Sequence, residues 1–188
     1  MEKPLQALDE IQQFLALHDI QHVVIGGIAN AIWGRPRVTL DADLKVLAGQ
    51  RSISEFVDLL GTQFRFRVSD TVSFVRRTYV VPLYASNGAG LDLGLAFLPY
   101  EFETIERAVM TTYEGVTFPV CTAEDLIIHK AISERDKDWL DIDGVLDKEG
   151  KRLDQGYIML WLEQFAEALE RPAILQRYRS LLRTKKLI

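Results

Sequence analysis

Apolar residues recur at helical spacing through "PLQALDEIQQFLALHD": Leu5, Leu8, Ile11, Phe14 and Leu15 share one face, and Pro4 suits a first turn. A short apolar run, "HVVI", then reads as a strand, and "GGIANAIWG" as a short helix opened by Gly26 and Gly27 and closed by Gly34. After the turn "RPR" the period changes to two. In "VTLDADLKV", Thr39, Asp41, Asp43 and Lys45 point one way, and Leu40, Ala42, Leu44 and Val46 the other. "SISEFVDLLGTQF" predicts a helix. "YVVPLYA" and "GLDLGLAFL" predict strands split by the turn "SNGAG". "YEFETIERAV" predicts a helix, and "MTTYEGVTFPV" a hairpin turning at Glu114-Gly115.

From residue 122 the pattern is helical throughout. Thr122 with Asp125 three positions later is an N-cap signal before "LIIHKAI"; "KDWLDIDGVLDKE", "GYIMLWLEQFAEAL" and "ILQRYRSLLR" follow. The expected fold is α+β: a small mixed sheet flanked by helices, followed by a C-terminal helical bundle. The expected organisation is an α/β core over residues 1–120 and a helical region over 121–188 packed on it.

Composition narrows this picture slightly. Hydrophobic residues make up 48% of the 188, enough for a core that needs no disulfide or structural metal. The single cysteine, Cys121, fits a reducing compartment. With no secretory pattern at the N-terminus and no apolar run of membrane-spanning length, a cytoplasmic protein without membrane partners is expected. The formal net charge of −5 argues against a general nucleic-acid binder. The tail "RPAILQRYRSLLRTKKLI" is nonetheless basic, and reads either as a solvated helix face or as a docking surface for RNA or an acidic partner.

Candidate chemistry begins at Asp41 and Asp43. Two residues apart on a strand, they share a face with Cα atoms roughly 6.5 Å apart. Carboxylates so placed repel each other, and a divalent cation with a taste for hard oxygen ligands relieves that repulsion. Such spacing suits a two-metal phosphoryl-transfer site. An exposed strand face, with Lys45 and Arg37 as neighbours, would also account for the pair. Gly26 and Gly27, between a strand and a helix, would let backbone N–H groups approach a phosphate, or serve only to make a tight turn. Asp92, in "GLDLGLAF", joins the first two aspartates if its strand lies beside theirs; otherwise it marks an exposed face. Lys130 sits on a helix whose other face is apolar (Leu126, Ile127, Ala131), where it could neutralise a triphosphate, pair with Glu134 or meet solvent. Asp138 and Asp141, three apart on a helix, could equally face water or pair with Arg135 and Lys137. His129 reads as an ordinary histidine and Trp33 as core.

In this order, these residues resemble the nucleotidyltransferase superfamily with the polymerase-beta-like core. "GGIANAIWGRPRVTLDADL" is similar to its first motif: paired small residues, a short helix, then D-x-D on a strand. The pattern G-x-x-R-x-T-x-D-x-D, filled here by Gly34, Arg37, Thr39, Asp41 and Asp43, most resembles the AbiEii-like branch. That bacterial branch contains abortive-infection and type IV toxin nucleotidyltransferases. "GLDLGLAF" resembles the strand carrying the third carboxylate. "TAEDLIIHKAISERDKDWLDI" resembles a downstream segment that supplies a lysine and, after Arg135, a pair of aspartates. The resemblance covers about residues 20 to 147. Gly27 stands where many members have serine, and the helices after residue 150 match nothing in it.

The resemblance implies a transferase that moves a nucleoside monophosphate from a nucleoside triphosphate to an acceptor hydroxyl on a tRNA, a protein or a small molecule. It implies two Mg2+ ions, with Mn2+ as a substitute, held by Asp41, Asp43 and Asp92. Gly26, Gly27, Arg37, Thr39 and Lys130 would bind the nucleotide, and Asp138 or Asp141 would orient the acceptor or the lysine. A toxin with an antitoxin partner falls within this expectation. The alternative is a catalytically silent or antitoxin-like module that keeps the fold.

Overall fold

The computed structural model describes residues 2–133 and 135–187. Helix α1 (Lys3–Leu17) starts at a proline and buries Leu5, Leu8, Ile11, Phe14 and Leu15, the stripe its sequence spacing predicts. Strand β1 (His22–Ile25) leads into helix α2 (Gly26–Trp33). Strand β2 (Asp41–Val46) buries Ala42, Leu44 and Val46 and turns Asp41, Asp43 and Lys45 to the other face. The strand is shorter than its pattern: Val38 and Leu40 are strongly exposed, because pairing with β1 begins only at residue 43 and with its other neighbour at residue 41. Trp33, expected in the core, is half-buried.

Helix α3 (Ile53–Leu60) opens on a capping box, with Ser52 accepting from the Glu55 N–H and Glu55 accepting from the Ser52 N–H. Residues 65–78, where the sequence pattern predicts nothing, form the two-residue strand β3 (Arg65–Phe66) and helix α4 (Thr71–Thr78). Helix α4 buries only Thr71 and Val75, so its apolar stripe is too thin to read from spacing. Strands β4 (Val80–Tyr84) and β5 (Gly90–Leu95) follow, then helix α5 (Pro99–Glu106). The hairpin of β6 (Val109–Tyr113) and β7 (Val116–Val120) turns at Glu114 and Gly115, both at positive φ, as a two-residue hairpin turn requires.

The strands form one mixed sheet in the order β3-β4-β5-β2-β1-β7-β6. The β2–β5 and β1–β7 pairs are parallel and the other described pairs antiparallel. Helix α1 packs on β2, β5 and β7, and α5 on β1 and β2. These elements belong to one compact unit, residues up to 28 together with 38–121.

The second unit gathers residues 29–37 with the chain from 122 onward. Its helices are α6 (Ala123–Ser133), α7 (Asp136–Glu149), α8 (Gln155–Ala168) and α9 (Ala173–Thr184). The Asp125 N–H donates to the Thr122 hydroxyl at 3.2 Å, the N-cap read from the sequence. Leu126 and Ile127 of α6, Ile142 and Val145 of α7, Leu162 of α8 and Tyr178 of α9 are among the residues filling this unit's interior. Segment 29–37 is tied in by polar contacts: Asn30 donates to the Arg35 carbonyl at 2.8 Å, Lys148 donates to the Ile32 carbonyl, and Arg35 pairs with Asp143 and Asp147. In the basic tail, Arg177 pairs with Asp136 and stacks over Trp139, Arg179 pairs with Glu163, and Lys185 with Asp143. No helix among the described residues is long and apolar enough to cross a membrane.

Candidate functional site

Strand β5 lies beside β2 in parallel register, placing Asp92 opposite Asp43 and Gly90 opposite Asp41. Paired residues of neighbouring strands share a face, so the three aspartates occupy one side of the sheet while Leu91, Leu93 and Leu95 hold the other. The Asp41 and Asp92 side chains are 42% and 29% exposed, open enough to meet a ligand. At the far end of this face Lys45 pairs with the buried Glu101, which also accepts the Phe97 and Leu98 N–H groups at the start of α5.

Glycine is required around the carboxylates. Gly26, at the β1–α2 junction, has φ +65°, and a Cβ there would stand 2.1 Å from Asp43 Oδ2. A Cβ on Gly90 would stand 2.1 Å from Asp41 Oδ1. A Cβ on Gly27 would meet Thr39 Oγ1 at 2.5 Å, while the Thr39 hydroxyl donates to the Asp41 carbonyl at 3.1 Å. The two glycines therefore serve a steric purpose, and they also keep the first turn of α2, whose N–H groups lack intrahelical partners, bare beside Asp43. A cleft of about 400 Å3 opens along this edge, lined among others by Lys3, Thr39, Asp41, Arg67, Tyr84 and Gly90.

Arg67 is the residue that sequence reasoning missed. Its backbone N–H donates to the Pro82 carbonyl at 3.0 Å, which fixes its Cα beside β4. From there the guanidinium reaches over the sheet, donating to Asp92 and standing 3.7 Å from Asp41. Three carboxylates on one face call for a cation, but nothing in "RFRV" says which residue supplies it.

The second group lies in the helical unit. Lys130 is 4% exposed, and its ammonium donates to Asp138 at 3.1 Å and to Asp141 at 2.6 Å. Asp138 also accepts from Ser133 at 2.6 Å and Arg135 at 2.5 Å. Asp141 accepts from Arg37, through Nε at 3.1 Å and Nη2 at 3.0 Å, as a fork. Burial alone would raise the Asp138 carboxyl, but the hydrogen bonds from Ser133 and Arg135 and the Lys130 charge outweigh it and hold it below the ordinary range. Asp138 and Asp141 thus do not face water, although Asp138 does pair with Arg135. Glu134, the alternative partner for Lys130, lies outside the described residues.

Of the residues singled out from the sequence, Gly26, Gly27, Thr39, Asp41, Asp43 and Asp92 gather in the sheet unit, and Arg37, Lys130, Asp138 and Asp141 in the helical unit. The sheet group fits a divalent metal by its donor chemistry, since it offers hard carboxylate oxygens side by side over glycines that leave them room. Among the described residues no three His, Cys, Asp or Glu side chains stand gathered around a common point as a ready metal cage. Arg67 supplies the positive charge between Asp41 and Asp92 instead.

No family model matches the chain, and no curated protein matches it. Solved structures do. An antigenic nucleotidyltransferase-like protein from Paracoccidioides brasiliensis is 18% identical with a TM-score of 0.52, over 95% of this chain and 93% of that one. The antibiotic-resistance factor ANT(2")-Ia, in complex with adenylyl-2"-tobramycin, is 14% identical with a TM-score of 0.56, over 94% and 99%. The lincosamide antibiotic adenylyltransferase LnuA, bound to lincomycin, is 14% identical with a TM-score of 0.50, over 74% and 94%. At these identities the likeness is one of fold. The chain has the α+β fold of the nucleotidyltransferase type, with a helical C-terminal region.

Proposed function

We propose that the chain is a nucleotidyltransferase whose active centre is the face carrying Asp41, Asp43 and Asp92. The observation that carries this reading is the side-by-side register of Asp43 and Asp92 beside the Gly26 junction. The acceptor hydroxyl would attack the α-phosphorus of a nucleoside triphosphate, the bond to the bridging oxygen would break, and pyrophosphate would leave. Two Mg2+ or Mn2+ ions, held by Asp41, Asp43 and Asp92, would neutralise phosphate charge and ease loss of the acceptor proton. Asp92 is the carboxylate we assign to receiving that proton. The bare first turn of α2 would hold phosphate oxygens through the N–H groups at Gly26 and Gly27. Thr39 anchors the backbone of Asp41. The mutual pairing of Lys130, Asp138, Asp141 and Arg37 supports a positional role for that buried group over direct phosphate contact.

For the acceptor, the reading spans a tRNA end, a protein side chain and a small molecule. The fold likeness to LnuA, which binds lincomycin, and to ANT(2")-Ia, in complex with adenylyl-2"-tobramycin, supports the small molecule. The resemblance to the AbiEii-like branch supports a bacterial toxin acting on tRNA beside an antitoxin partner. Each labelled triphosphate, incubated with Mg2+, the protein and a panel of RNA, protein and aminoglycoside or lincosamide acceptors, decides among them by where the label goes. Asp43→Ala should lower transfer by at least about 10²-fold while the far-ultraviolet spectrum stays unchanged. Wild-type transfer by that variant would refute the assignment. One observation favours the second reading, a silent module: Arg67 already satisfies Asp92. Absence of any Mg2+-dependent thermal shift with all four triphosphates would support it.

A further inference from the structure

We propose that Arg67 is a tethered counter-ion that competes with the divalent cation for Asp41 and Asp92, so that metal binds only as the guanidinium leaves. This rests on the reading of the three aspartates as metal ligands. A guanidinium is a permanent cation, and while Arg67 bridges Asp41 and Asp92 those oxygens face it. A metal ion between the same oxygens would meet it at close range, where a pair that is 23% and 29% exposed is only partly screened. The two occupants therefore exclude each other.

The grip of Arg67 is also incomplete. The buried Nε of Arg67 has no hydrogen-bond partner among the described residues, whereas Arg37 commits both Nε and Nη2 to Asp141. A permanent strut would use its fork as Arg37 does. The Arg67 backbone is fastened at Pro82 while its side chain lines the open cleft with Asp41 and Tyr84, so the guanidinium has room to swing out without moving the strand.

The test is Mn2+ affinity of the full chain, read by electron paramagnetic resonance of free Mn2+ and by calorimetry, without substrate. If Arg67 occupies the carboxylates about nine-tenths of the time, removing it tightens apparent binding about tenfold. Arg67→Gln should therefore bind Mn2+ about tenfold more tightly than wild type. Arg67→Lys, which keeps the charge but cannot bridge as a planar fork, should fall between. Arg65→Gln, which removes an exposed charge two residues away on β3, should leave affinity unchanged. Equal or weaker binding by Arg67→Gln, with wild-type binding still abolished by Asp43→Asn, overturns this proposal and leaves the nucleotidyltransferase reading standing. Absence of any Mn2+ binding that Asp43→Asn removes overturns both. Should Arg67→Gln fail to fold, Arg67→Lys carries the comparison, and affinity no tighter than wild type overturns the proposal.

Discussion

Lys130 shows how far a residue's meaning depends on its surroundings. Its sequence neighbours allow a phosphate ligand, a surface ion pair or a solvated lysine; its actual partners are two buried carboxylates. Removing one member of such a group leaves uncompensated charge in the interior. Lys130→Met is therefore expected to lose about 3–5 kcal/mol of stability, measured by urea unfolding with tryptophan fluorescence; a loss below 1 kcal/mol would show the pairing to be incidental. Asp138 gives the matching pH dependence. Its folded carboxyl lies below the unfolded value of about 3.9, so its contribution is present above that pH and fades as pH falls through the folded value. The gap in unfolding temperature between wild type and Asp138→Asn should accordingly be full at pH 6 and shrink below about pH 4. A gap constant with pH would contradict the pairing. The family resemblance picked out Asp138 and Asp141, but their burial was not legible, because positions three apart on a helix can face either water or core. Arg67 left no signal, because it acts across two strands from the bend just after a two-residue one.

At the scale of elements, most signals were local and so readable. The proline start of α1, the Thr122 cap and the Glu114-Gly115 turn each depend on a few neighbouring residues. Helix α4 and strand β3 escaped because one is mostly exposed and the other too short for a period to show. The β1–α2 junction is where element and site meet. Gly26→Ala must place a Cβ at φ +65°, costing on the order of 1–2 kcal/mol, and must also push Asp43 aside. Thermal unfolding should report the first effect, and Mn2+ affinity should fall several-fold from the second. Unchanged metal affinity in a destabilised Gly26→Ala would separate the turn from the site.

For the whole molecule, the decisive feature is that residues 29–37 join the chain after 122 in one compact unit. Arg37 holds Asp141, and Arg35 holds Asp143 and Asp147. A fragment of residues 122–188, deprived of them, is expected to melt without a cooperative transition by circular dichroism; a sharp transition would show 29–37 to be dispensable. The sequence by itself determined the α+β class, most helices and strands, the two hairpin-turn residues and the aspartates worth testing. The elements and turn follow from side-chain period and short-range caps, which act within a few residues, and the aspartates from strand alternation together with the family resemblance. Only the tertiary structure decided that β5 lies beside β2 in the register that joins Asp92 to Asp43, that Arg67 stands among those carboxylates, and that Lys130 is buried between two others. Strand order and charge pairing over such separations depend on which surfaces meet once the chain has closed on itself. No local pattern of apolar and polar residues encodes that.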